Sequence, residues 1–388
     1  MAKTALPIKV LMVMHNSTIT GPNMATLSLL KAIDRSICRI DVASPAEGYF
    51  AEQLKGMGVT HIPLEFGRYE DIVTILRLIF ILRRGGYDIL HGHMGRVGPI
   101  ICIAGKAARV KAIILTEHMS AGSHTWIGND PFKLFVHRLF HVISNNFLDM
   151  VIAVSDKARK SYISRQGIRP EKTAVIYNSI YLDKEKAIDR AAIRARLGLS
   201  RDDVVIGTVG RLVREKGYGD VILAAGEILR YNRGVHFLIV GDGPEKENLE
   251  KLARAKNLDK KVTFTGFYTD IDDIMEAIDI LVHPSWTESA ESFGLVLIEA
   301  MARRKAVVTS DIEPFFEIIK DGRSGFLFPE KNYRALAEKI NLLLGDRKLM
   351  EEMGRFGYEI VKEKFDARII ARKTEELYKK ILAKKKRG

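Results

Sequence analysis

Short runs of consecutive apolar, mostly β-branched residues alternate along this chain with segments whose apolar positions recur at helical spacing. In the first half the runs lie at 9–14, 39–43, 88–91, 112–116 and 150–154, and each suits a strand of a parallel sheet covered on both faces. A second series follows at 204–209, 236–240, 262–265, 280–283 and 306–310, with helical patterns such as 245–256 between the runs. Strand and helix therefore alternate in both halves, which predicts an α/β fold with two parallel sheets. Between the two series, 179–201 is polar and helix-biased, and Gly198 reads as the cap of a short helix and the end of a linker. We divide the chain into lobes at 1–185 and 186–365, followed by a tail at 366–388. In the tail Ile370, Thr374, Leu377 and Ile381 fall near one helical face that should pack, before the run Lys384 to Arg387 frays. Open parallel sheets bind ligands at the carboxyl ends of their strands, so two facing sheets predict a site in a cleft between lobes.

Composition agrees with two cores. A chain of 388 residues with 47% hydrophobic content exceeds what one core usually holds. Cys38 and Cys102 lie in apolar surroundings without metal-like spacing, as core residues of a reducing compartment would. The apolar run 10–14 reads as a first strand and not a signal peptide. The most apolar segment elsewhere, 72–82, contains Arg77 and runs into Arg83 and Arg84, short of the roughly 20 apolar residues a membrane span requires. Net charge is +13, and residues 367–388 carry 9 basic and 2 acidic side chains of it. Such a tail serves an anionic surface or is a solvated helix end.

Two stretches carry chemistry. GTVGRLVREKG at 207–217 is a strand ending in glycine, then basic residues, then a helix from about Asp220. Gly210 and Gly217 let backbone approach a ligand, a helix N-terminus offers N–H groups, and Arg211 and Lys216 can neutralise a diphosphate. A Walker A loop is excluded because Gly217, not Ser or Thr, follows Lys216; an ordinary basic surface loop is the other reading. ESAESFGLVLIEAMA at 288–302 holds Glu291 and Glu299 eight positions apart. On one helix that is roughly 12 Å of rise, beyond the ~5 to 9.5 Å of a glycosidase pair. With Glu291 in a loop and Gly294 opening the helix, both carboxylates can instead serve one ligand, one on sugar hydroxyls and one on a ribose diol. Alternatively Glu291 complements a helix dipole and Glu299 is an exposed helix residue.

The ordered set GTVGRLVREKG, FLIVGDGP at 237–244, VTFTGF at 262–267, ILVHPSWTESAESFGLVLIEAMA at 280–302 and DGRSGFLF at 321–328 resembles the family-4 retaining glycosyltransferases across nearly the whole second lobe. The resemblance implies a GT-B fold of two Rossmann-like lobes facing across a cleft, with the C-terminal helix crossing back to the first. It maps that family's EX7E motif onto Glu291 and Glu299, and its diphosphate-holding Arg and Lys onto Arg211 and Lys216. It further implies donor contacts from Gly21, Gly210, Gly241, Phe267, Ser292, Phe293 and Gly294. The first lobe, which would bind the acceptor, matches less closely. There DILHGH at 88–93 and ILTEH at 114–118 resemble family strand ends, and His118 takes the place of an active-site histidine holding the transferred sugar. His91 and His93 point to one face of a strand, but no third ligand is placed near them, so they read as structural. Catalytic roles thus fall to His118, Arg211, Lys216 and Glu291, with no metal and no cofactor beyond the nucleotide diphosphate sugar itself. Three departures stand out: Thr20-Gly21-Pro22-Asn23 where the family often has Gly-Gly, Ser292 for a glycine, and Asn178-Ser-Ile-Tyr181 for Asn-Gly-Val-Asp.

The acceptor is hinted at by a helical stretch opening at Asp130-Pro131. It sets Phe132, Phe135, Leu139, Phe140 and Ile143 beside Lys133, Arg138 and His141, as an interfacial helix does, although core packing gives the same stripe. With the basic tail, this predicts a cytoplasmic protein loosely attached to an anionic membrane, acting on a lipid-linked or cell-envelope glycan and not on nucleic acid. A sugar-nucleotide epimerase of the same architecture and a non-catalytic nucleotide-binding protein are the competing readings. A dehydrogenase is disfavoured because neither half has GxGxxG after its first strand.

Overall fold

A computed structural model of the chain describes residues 6–66, 72–94, 97–118, 145–183, 188–287 and 291–387. The stretch 130–143, assigned above to an interfacial helix, lies outside them. The described chain divides into two compact units, one of residues 1–181 with 366–388 and one of 182–365.

The first unit runs β1 (Ile8–Met14), α1 (Gly21–Ala32), β2 (Cys38–Ser44), α2 (Tyr49–Gly56), β3 (His61–Pro63), α3 (Ile72–Gly85), β4 (Ile89–His93), α4 (Gly98–Ala107), β5 (Ala112–Glu117), β6 (Met150–Ala153), α5 (Asp156–Gln166) and β7 (Thr173–Val175). Its sheet is parallel throughout, in the order β3-β2-β1-β4-β5-β6-β7. The apolar run of β1 is explained by burial on both faces. Val10, Met12 and Met14 enter one core with Leu27, Leu30 and Ile370, while Leu11 and Val13 enter another with Leu78, Leu82 and Ile101. Cys38 and Cys102 are free and buried, and burial pushes both thiols up to about 12.

The second unit runs α6 (Arg190–Arg196), β8 (Val204–Val209), α7 (Tyr218–Ile228), β9 (Val235–Val240), α8 (Lys246–Ala255), β10 (Val262–Gly266), α9 (Ile271–Ala277), β11 (Ile280–His283), α10 (Leu295–Ala302), β12 (Ala306–Ser310), β13 (Phe326–Phe328), α11 (Tyr333–Gly345) and α12 (Arg347–Ile360). Its parallel sheet has the order β10-β9-β8-β11-β12-β13. Ile206, Phe237, Ile239, Val282, Val308 and Phe328 fill the core with Ile222, Leu336 and Ile340 from α7 and α11. Helix α6 is clamped to this unit by the buried Arg194. Its guanidinium donates to the carbonyls of Ala277 (3.0 Å), Arg201 (2.9 Å) and Asp203 (2.9 Å) and to the Asp279 carboxylate (2.7 Å).

After a π-helical turn at Val361–Phe365 the chain rejoins the first unit as α13 (Ala367–Arg387). The Ala367 amide donates to the Ile180 carbonyl at 2.9 Å, and the Glu375 carboxylate accepts from the Asp34 amide at 2.8 Å. Ile370, Thr374, Tyr378 and Ile381 form its buried face, with Tyr378 fully enclosed. The expected fraying of Lys384 to Arg387 is corrected here. The helix continues through Arg387, and the Lys385 ammonium is held by Asp149 at 2.6 Å, which ties down the last turn.

Candidate active site

In the second unit the sequence order of strands reverses between β8 and β11, which are hydrogen-bonded neighbours. A parallel sheet opens at such a point, because the chain leaves the two strands toward helices on opposite faces. The loop after β8 carries Gly210, Arg211, Lys216 and Gly217; the loop after β11 carries Ser285, Trp286 and Glu291.

Glycine makes this junction possible. A Cβ on Gly241, at the end of β9, would lie 1.9 Å from the Gly210 carbonyl oxygen, so the two strand ends cross backbone on backbone. Gly217 has φ +71°, and a Cβ there would lie 2.2 Å from the Pro284 carbonyl oxygen. The two loops are thus seated directly on each other, and the Trp286 amide donates to the Glu215 carbonyl at 2.9 Å. The Trp286 indole N–H also reaches Asp220 on α7 at 2.9 Å.

At this seat Lys216 and Glu291 form an ion pair, with side chains 21% and 13% exposed. His283, the last residue of β11, places Nε2 3.3 Å from the same Glu291 oxygen and 3.2 Å from the Ser285 hydroxyl, which also contacts Glu291 at 3.4 Å. Burial pushes the Lys216 ammonium down to about 8, opposed by Glu215. Burial, and then the charge of Lys216, hold His283 neutral far below its usual value. A neutral imidazole and a hydroxyl around a carboxylate hold one cation in place without adding net charge.

The other second-unit residues expected to contact the donor differ in exposure. Arg211 is exposed and forms no ion pair among the described residues. Ser292 and Phe293 are buried, Phe293 packing edge-to-face on Phe365. Gly294 has φ +93° and caps α10, where a Cβ would lie 2.9 Å from the Phe315 ring. Glu291 lies outside the helix in the preceding loop, and Glu299 lies on it. Burial, and secondarily Asp272, push the Glu299 carboxyl up to about 7. Glu299 is thus close enough to Asp272 of α9 to feel its charge. Gly241 is half-buried, and Phe267 is 59% exposed beyond β10.

In the first unit His118 follows β5 directly. It stacks on His93, with ring centroids 5.3 Å apart and His93 Nδ1 3.1 Å from His118 Nε2. Burial holds His118 down to about 4, opposed by Asn178. His91 bonds the Tyr378 hydroxyl at 2.6 Å and Thr116 at 2.7 Å, and burial holds it down to about 3. All three imidazoles are neutral at pH 7, and no group of three metal-ligating side chains occurs among the described residues. His91, His93, His118, Thr116, Asn178 and Ser179 border one cavity of about 30 Å³, which has room for water. His93 Nε2 and Ser179 Oγ are buried there without a hydrogen-bond partner among the described residues. Gly21 begins α1, where the Thr20 hydroxyl accepts from the Asn23 amide at 3.4 Å. Pro22 occupies the first turn of that helix, where a missing N–H costs nothing. The Asn23 side chain folds back onto Asn16 Oδ1 (2.8 Å) and the Thr18 carbonyl (2.7 Å), so the turn is built on asparagine in place of a second glycine.

Sequence reasoning passed over His283, Ser285, Trp286 and Tyr378. The first three stand in ILVHPSW, and the polar residues closing an apolar strand were the available signal. Tyr378 carried none, because its partner His91 is 287 positions away.

Comparison with known proteins places these features in context. Residues 189–360 match the family described as glycosyl transferases group 1, and residues 19–184 match glycosyltransferase family 4. The chain is 31% identical to an uncharacterized glycosyltransferase of Methanocaldococcus jannaschii, over 76% of this chain and 75% of that one. It is 30% identical to the alpha-D-kanosaminyltransferase of Streptomyces kanamyceticus over 60% of each chain. It is 27% identical to the UDP-Gal:alpha-D-GlcNAc-diphosphoundecaprenol alpha-1,3-galactosyltransferase of Escherichia coli, over 74% of this chain and 73% of that one. Among solved structures, Anabaena HepE in complex with UDP and glucose superposes with a TM-score of 0.83 at 24% identity, covering 96% of this chain and 100% of that one. The fold is the GT-B fold expected from the motifs.

Proposed function

The chain belongs to the group 1 glycosyl transferases, with a family-4 first half, and on that premise we propose that it moves a sugar, with retention, from a nucleotide diphosphate sugar to a hydroxyl of a lipid-linked or cell-envelope glycan. The observation that carries this reading is the part-buried Lys216–Glu291 pair at the strand-order reversal of the second unit. In the reaction the bond between the anomeric carbon and the diphosphate oxygen breaks as the acceptor oxygen bonds to that carbon. The acceptor proton passes to the departing phosphate on the same face. Charge builds on the diphosphate, where Lys216 and the exposed Arg211 supply fixed positive charge. Glu291, freed from part of its hold on Lys216, accepts from sugar hydroxyls, Glu299 accepts from the ribose, and His118 donates to the transferred sugar. These cations do the work a metal ion would otherwise do, so we propose transfer without one.

The Escherichia coli relative, whose name specifies UDP-galactose and a diphosphoundecaprenol-linked acceptor, makes UDP-sugars and polyprenyl-linked glycans the first substrates to try. No helix among the described residues is long and apolar enough to cross a membrane.

Product analysis with a panel of nucleotide sugars tests the proposal. Transfer predicts release of nucleoside diphosphate that depends on an acceptor. Conversion of the donor to an isomeric sugar nucleotide without acceptor would make the chain an epimerase. Ligand-induced thermal stabilisation with no release under any acceptor would make it a binding protein.

A further inference from the structure

Helix α3 buries only one edge. Thr74, Leu78 and Leu82 face the core, while Ile72, Val73, Leu76 and Phe80 are 68%, 58%, 60% and 63% exposed. At 100° per residue these four share one continuous arc with Arg77, Arg83 and Arg84, and no acidic residue occurs anywhere in α3. Exposed apolar residues scattered singly need no explanation, but four large ones on one helix face mark a contact surface. Arg83 donates to the Ala107 carbonyl at 2.9 Å, and α4 exposes Ile103 one turn earlier.

We propose that this face of α3 is the surface through which the protein docks on an anionic lipid bilayer, the apolar side chains entering the acyl boundary and the arginines reaching lipid phosphates. The inference rests on the lipid-linked acceptor reading above and names its contact surface. Charge decides the occupant. Guanidinium groups flanking an apolar stripe extend along their own stems to headgroup phosphates, which is the pattern of interfacial helices. A two-fold contact with a second copy would instead bury six arginines from two such helices with no carboxylate on either helix to pair them.

Co-sedimentation of the full chain with vesicles of phosphatidylcholine, with and without phosphatidylglycerol, tests this. The wild type is expected to pellet with the phosphatidylglycerol vesicles at low salt. The double variant Leu76→Ser/Phe80→Ser should bind about tenfold or more weakly. Arg77→Ala/Arg84→Ala should lose about fivefold per arginine on phosphatidylglycerol vesicles and little on phosphatidylcholine alone. Because all four side chains are exposed, melting and nucleotide-sugar stabilisation should stay at wild-type values, and their loss would bear on the catalytic reading instead. The proposal is overturned by wild-type partitioning of the Leu76/Phe80 variant, by no wild-type binding to either vesicle, or by a solution dimer that the same substitutions dissolve. It is equally overturned if removing residues 384–388 alone abolishes binding while the α3 variants retain it.

Discussion

Lys216 and Glu291, 75 positions apart in sequence, are held against each other by loops that leave neighbouring strands on either side of a strand-order reversal. Neither side chain is well solvated, so each is the other's main compensation for burial. Lys216→Met strands the Glu291 carboxylate and should cost about 1–3 kcal/mol. Adding Glu291→Gln removes the stranded charge, so the double variant should be more stable than the sum of its parts predicts. Denaturant titration of the four species measures this, and strict additivity would mean that the two groups do not interact.

The same pair sets the alkaline limb of the rate. The Lys216 ammonium, depressed from 10.5 to about 8, is lost as pH rises through 8, and transfer should fall with it. The Glu299 carboxylate, raised from 4.5 to about 7, is lost as pH falls through 7, and donor affinity should drop there. A bell between these limits is expected in kcat/KM. Stability moves the other way on the alkaline side. Between about 8 and 10.5 the unfolded chain holds the lysine proton and the folded one does not, so this group's contribution to folding rises with pH while the rate falls. On the acid side the Glu299 contribution is present below 4.5 and is lost as pH rises through 7. Lys216→Arg should move the alkaline limb upward, and an unmoved limb would assign it to another group.

Two glycines should respond oppositely to alanine. Gly241→Ala sets a methyl 1.9 Å from a carbonyl oxygen at φ +137°, which forces the β8 and β9 ends apart and should destabilise the second unit by several kcal/mol. Gly226 lies within α7 with open space around its would-be Cβ, so Gly226→Ala should stabilise by about 0.5–1 kcal/mol. Thermal melts of both variants check the signs.

Tyr378→Phe removes the 2.6 Å bond between α13 and His91, leaving a buried ring nitrogen without its partner. A loss of about 1–3 kcal/mol in the first unit is expected. A stability unchanged from wild type would show that water replaces the hydroxyl.

Ten strands were legible as apolar runs because both sheet faces are covered, so their residues need no polar alternation. The three that escaped, β3, β7 and β13, are three residues each and stand at sheet edges, too short to show a period. Among candidate site residues, sequence spacing could name Lys216 and Glu291 separately. Their contact depends on the β8–β11 adjacency, which places residues about 75 positions apart side by side and is a property of topology. The polar lining around them was illegible for a related reason. His283 and Ser285 look like the end of an apolar strand until Glu291 is folded against them.

The most direct test of the central claim, that the Lys216 ammonium stabilises the departing diphosphate, is the kcat/KM for acceptor-dependent nucleoside diphosphate release by Lys216→Ala beside the wild type. Loss of a fixed donor at a developing oxyanion predicts a fall of about 10²–10³-fold, with the variant still folded and cooperative in its melt. A folded Lys216→Ala protein that transfers sugar within about threefold of the wild type would contradict the account.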